Sequence, residues 1–180
     1  MNNTVIWNII RFFVLLALQG LFLKRISDGW VTGSLYINIF LYPLFILLLP
    51  LQTPRTGVLL LSFLMGIGVD LFYDSLGVHA AALTATGYAR ALFLSLYEPR
   101  EGYKLNAKPT PGDLGMNWFL KYSASLMGLH LLVYFSVDAF SPIYILGILL
   151  RTFFTFVSSM AAVLIFVFIF MPKRNSPGRF

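Results

Sequence analysis

The chain has 180 residues, 58% hydrophobic and only 11% charged, with a mean hydropathy of +0.81. A soluble domain carries about 25% charged residues, so the composition excludes one and reads as an integral membrane protein, small enough for one compact bundle. Zero cysteines exclude a disulfide framework and thiolate metal sites, and the net charge of +6 fits basic loops facing anionic lipid better than nucleic acid.

Apolar runs predict an all-α membrane protein, a bundle of about six transmembrane helices in a single domain over 1–172. The first helix, 5–23, is long enough for about 30 Å of hydrocarbon. It lacks a basic n-region and a small-x-small cleavage site, so it reads as a retained helix. Arg11 near its start can snorkel to the interface. A polar turn over 24–33 follows, with Trp30 suited to an interfacial depth. The second helix, 34–51, contains Asn38 and a kinking Pro43. Helices over 57–72 and 78–96 come next, then a hydrophilic cytoplasmic loop over 97–117 with prolines at 99, 109 and 111. The last two helices cover 118–137 and 143–171, with Ser141 as N-cap and Pro142 as first helical residue between them. A basic tail, 173–180, closes the chain.

Arg55, Arg100, Lys104, Lys108, Lys121, Lys173, Arg174 and Arg179 all fall on one side of this arrangement, against Lys24 and Arg25 on the other. The positive-inside rule therefore places both termini in the cytoplasm. Arg55, Arg100 and Lys104 become candidate cytoplasmic contacts.

The stretch Gly66–Ala82 carries the densest polar chemistry, with Asp70, Asp74 and His79 between apolar runs. Gly66 and Asp70, four apart, share a helix face. Ala81, Ala85 and Ala89 form a small-residue line on the next helix, so that helices can approach closely. Gly66, Asp70, Gly77, His79, Ala81, Ala85 and Ala89 are thus candidates for helix packing or partner contact. An aspartate inside a membrane is costly, so Asp70 should cap the turn or pair with an arginine. A Gly-x-Gly-Asp protease motif does not fit, because Gly66-Ile67-Gly68-Val69-Asp70 is one residue too long and no second aspartate faces it. His79 reads as a hydrogen-bonded helix-end histidine and His130 as satisfied by a neighbouring helix. Neither has metal-ligand spacing, so no metal, cofactor or catalytic residue is expected. Arg90 should snorkel to the inner face, and Arg151 should snorkel outward or pair with a carboxylate such as Asp70 or Asp138.

Three blocks resemble the rod-shape-determining protein MreD family in its Bacteroidetes-type form. They are Phe45–Arg55 with Pro50-Leu51-Gln52-Thr53-Pro54-Arg55, Gly66–Asp70 with Leu76-Gly77-Val78-His79-Ala80, and Pro99-Arg100-Glu101-Gly102-Tyr103. The resemblance implies a non-enzymatic scaffold of the bacterial cell-elongation complex, in the cytoplasmic membrane, maintaining rod shape during lateral peptidoglycan synthesis. It implies as partners an MreC-like bitopic protein, the MreB filament, RodA and its transpeptidase, besides membrane lipid, and no nucleic acid. The alternative expectation is a substrate-binding subunit of an energy-coupling-factor transporter, which has a similar length and helix number. In that reading Asp70, Asp74 and His79 would line an outward-facing pocket. The small-x-x-x-small device of such subunits is missing, since Ala17 is followed four later by Leu21.

Overall fold

The computed structural model describes residues 3–29, 38–105 and 107–171. They form helices α1 (Asn3–Ala17), α2 (Lys24–Gly29), α3 (Leu44–Leu47), α4 (Arg55–Tyr73), α5 (Val78–Leu96), α6 (Pro111–Leu114), α7 (Met116–Ala139) and α8 (Ile145–Phe170). No strand occurs among the described residues. Three stretches are long and apolar enough to cross a membrane: Val5–Ile26, Arg55–Tyr73 and Ile145–Phe170. The other two long helices, α5 and α7, are more polar because they carry buried Thr86, Arg90, Ser123 and His130. α5 packs between α4 and α7, and α8 packs on α7.

α1 runs into α2 through a π-helical turn at Leu18–Leu23. Lys24 to Gly29, expected as part of a polar turn, is therefore helical; Trp30 lies outside the described residues. Such π turns are rare and cluster where a helix serves a special contact, and this one holds the buried Gln19 and Gly20.

The expected helix over 34–51 is not formed in its described part. From Asn38 to Thr53 the backbone is irregular except for the single turn of α3. Pro43 and Pro50 bracket that turn, and each removes a backbone donor and crowds the residue before it. Phe40, Leu41, Tyr42 and Leu44 to Leu49 are all buried, so this unwound stretch threads the middle of the bundle. Irregular backbone is tolerated in an apolar interior only when other groups satisfy it, and here the helices supply them. Gln19 uses its whole amide, with Nε2 donating to Ile39 O at 3.0 Å and Tyr73 Oη at 2.7 Å, and Oε1 accepting from Leu41 N at 2.8 Å. Ser159 Oγ accepts from Phe40 N at 2.9 Å, and Ser158 Oγ donates to Asn38 O at 2.8 Å. At the other end Arg90 donates to Leu49 O at 2.6 Å, Arg11 to Leu48 O at 3.3 Å and Tyr122 to Leu47 O at 3.3 Å. Arg90 is thus buried and fastened to this stretch, where snorkelling was expected.

These contacts fix direction. Gln19 meets residues 39–42 and Arg11 meets Leu48, so the unwound stretch runs antiparallel to α1. It leads from the end of the molecule holding Lys24 and Asp74, which lie 3.9 Å apart, to the end where α4 begins at Arg55. α1 and α4 are consequently parallel neighbours.

At the Arg55 end, the connection from α5 to α7 is strapped down. Trp118 Nε1 donates to Tyr97 O at 2.7 Å, and Tyr103 Oη donates to Leu94 O at 2.6 Å. Burial pushes the Tyr103 hydroxyl up to about 12, so it stays a donor at physiological pH. The segment contains one helical turn, α6, with Pro111 at its start. Residues 173–180, expected as a tail, lie outside the described residues.

Candidate functional site

α4 ends at Asp74, which adopts a left-handed backbone (φ 52°), and α5 begins after Gly77 (φ 85°). A helix leaves its first backbone N–H groups unpaired, and the N-cap side chain ordinarily accepts from them. Gly77 holds that position and has no side chain. The carboxylate of Asp70 takes over from the last turn of α4. Its Oδ1 accepts from His79 N at 3.0 Å and its Oδ2 from Ala80 N at 3.0 Å. Oδ1 also accepts from Ser75 Oγ at 2.5 Å and lies 2.9 Å from His79 Nδ1. A carboxylate so placed also benefits from the positive end of the α5 dipole.

These bonds set the tautomer of His79: Nδ1 carries the proton toward Asp70, and Nε2 faces inward with no hydrogen-bond partner among the described residues. Around the imidazole stand the rings of Tyr73 (4.7 Å between centroids), Tyr134 (4.8 Å), Phe40 and Tyr42 (5.7 Å each). Tyr42 Oη is 2.7 Å from His130 Nε2, while Thr86 Oγ1 donates to Ala82 O and lies 3.0 Å from His130 Nδ1. Thr86 has spent its proton, so His130 Nδ1 donates to it and His130 Nε2 accepts from Tyr42. His130 thereby joins α5, α7 and the unwound stretch.

Helix packing beneath the cap depends on Gly66. A Cβ there would collide with Ala80 Cα and lie 2.8 Å from Ala80 N and 2.9 Å from His79 O, all backbone. Further along the seam, Gly87 faces Ser62 and Val58 of α4. The small residues buried on α5 are therefore Ala80, Ala82, Thr86 and Gly87. Ala81 is exposed, and Ala85 and Ala89 are only half-buried, so the expected small-residue line is displaced around the helix from the face α4 uses.

The structure brings Gly66, Asp70, Gly77 and His79 together at one end of the molecule. Arg55, Arg100 and Lys104 are exposed at the opposite end. The Asp70 oxygens accept from Ser75, His79 and Ala80, and Arg151 lines a cavity of about 270 Å³ together with Asp138. Gln19, Tyr42 and the Thr155, Ser158 and Ser159 group were not singled out from sequence. An amide inside an apolar run, and three hydroxyls at helical spacing in α8, were the available signals.

The cluster has serine, histidine and aspartate, but its geometry differs from a nucleophile–base–orienter relay. In such a relay the hydroxyl and carboxylate sit on opposite imidazole nitrogens. Here Ser75 Oγ and Asp70 Oδ1 both lie 2.9 Å from Nδ1. Among the described residues, no group of three His, Cys, Asp or Glu side chains converges as a metal site. What the arrangement does is tie helix ends together. No family model matches the chain, and neither a curated protein nor a solved structure significantly similar to it was found.

Proposed function

We propose that this chain is a non-enzymatic, multi-pass scaffold of the bacterial cell-elongation complex, of the MreD kind, in the cytoplasmic membrane. The observation that carries the reading is how the interior polar groups are used. Asp70, His79, Gln19, Arg90 and His130 each bond to a helix end, to the unwound stretch or to a side chain holding one. A scaffold needs fixed faces, and these bonds fix them. The three sequence blocks resembling that family add the biological assignment.

In this reading the chain crosses the membrane six times, five times as helix and once as the unwound stretch. Arg55, Arg100, Lys104, Lys108 and Lys121 lie in the cytoplasm with both termini. The turn between α4 and α5 faces outward, where an MreC-like bitopic protein would meet it. The basic end meets the MreB filament, and RodA with its transpeptidase completes the assembly. The test is affinity purification of the tagged full-length protein from its own membranes. Co-purification of an MreC-like protein, with loss of rod shape on depletion, is expected. A tightly retained vitamin with no such partner would overturn the reading in favour of a transporter subunit.

A further inference from the structure

α1 and α4 meet closely at the Asp70 end, where Gly20 lies against Phe72 and Gly68 against Leu16. Toward the Arg55 end they are separated by the unwound stretch, which is thinner than a helix about 10–12 Å across. Pro50 and Pro54 then carry it across the end of the wedge. The result is a cavity of about 800 Å³ between the start of α1, residues 49–54 and α4. Within its lining Phe45 is buried, Phe12, Leu61 and Asn8 are half-buried, and Gln52 and Lys108 are exposed and mark its mouth. Among the described residues Lys108 is the one charged residue of the lining; exposed Arg55 adjoins the lining Pro54, and the Asp113 carboxylate, outside the lining, accepts from Lys108 N at 2.9 Å.

We propose that this wedge binds one anionic glycerophospholipid, with an acyl chain along the apolar floor and the phosphate at Lys108, Asn8 and Gln52. The mouth lies at the ends of α1 and α4, the depth at which phosphates sit in a bilayer. A lysine and two amide side chains in one lining supply donors for phosphate oxygens. The alternative occupant, a partner's helix, fits poorly: at about 10–12 Å across and 1.5 Å per residue, such a volume holds roughly five to seven residues, under two turns.

The test is native mass spectrometry of the purified full-length protein with equal amounts of phosphatidylglycerol and phosphatidylethanolamine. One phosphatidylglycerol should be retained in preference. Lys108→Glu should lower that retention about tenfold, while Lys104→Glu, at an exposed position outside the lining, should leave it unchanged. Ile9→Trp, at an exposed lining position that tolerates a larger side chain, should reduce retention of both lipids with the melting temperature preserved. Equal retention of the two lipids, insensitivity to Lys108→Glu, or crosslinking of a photoreactive residue at position 9 to protein instead of lipid in native membranes would each overturn the proposal.

Discussion

Asp70 Oδ2 accepts the backbone N–H of Ala80 at 3.0 Å, so the last turn of one helix caps the first turn of the next. The partners are ten residues apart, and the intervening turn is held by Ser75 on the same carboxylate. The cap lies directly beside the contact of Gly66 with Ala80. Electrostatics and close packing therefore act at one place.

Asp70→Ala removes the acceptor for two backbone donors, a hydroxyl and an imidazole. A lost cap and newly unpaired buried groups together should cost about 2–4 kcal/mol. Thermal unfolding in detergent, followed by intrinsic fluorescence, should show a lower midpoint. Ser75→Ala should lower it by less, since one bond of the cluster is lost.

The glycines separate steric from conformational roles. Gly66→Ala drives a Cβ into backbone that cannot rotate away and should cost about 3 kcal/mol or more, and Gly66→Leu should abolish folded yield. Gly77→Ala meets nothing within 4 Å and is penalised only by its left-handed backbone, about 1–2 kcal/mol. Ranking the three variants by melting temperature and monodisperse yield checks this order.

The unwound stretch depends on side chains far away in sequence. Gln19→Leu removes the acceptor of Leu41 N and a donor to Ile39 O, and Arg90→Met removes the donor to Leu49 O. An unpaired buried group costs about 1–3 kcal/mol. Both variants should speed hydrogen exchange over residues 39–50 while α4 and α5 retain their protection.

Orientation is open to a direct experiment because the chain contains no cysteine. Leu76 and Leu105 are almost fully exposed at opposite ends of the molecule. Leu76→Cys should react with an impermeant thiol reagent in intact cells. Leu105→Cys should react only after the membrane is opened.

The helical class and the positions of α4, α5, α7 and α8 were legible because long apolar runs punctuated by proline and glycine leave few alternatives. Asp70 as a turn cap and His79 as a hydrogen-bonded helix-end histidine were each legible, because polar groups in such surroundings demand partners; that they are each other's partners was not, since it depends on how the turn at 74–77 folds. The failure at 34–51 has a physical cause. Hydropathy reports how apolar a stretch is, and a buried irregular backbone is as apolar as a helix. The prolines at 43 and 50 signalled interruption, but the groups that make unwinding tolerable are Gln19, Arg90 and Ser159, placed there by tertiary structure. The displaced alanine face has a related cause. Ala81, Ala85 and Ala89 repeat at helical spacing, yet the crossing point is set by Gly66, which selects Ala80 instead.

In the proposed reading, the polar centre of this protein holds structure and does no chemistry. Asp70→Asn is the sharpest probe, since the amide oxygen can still accept from one of the two backbone N–H groups at the start of α5 while the carboxylate charge is gone. Expressed in place of the native protein, the variant should fold, retain the proposed MreC-like partner and keep cells rod-shaped. Loss of rod shape with folding and partner retention intact would contradict the account and assign Asp70 a chemical role.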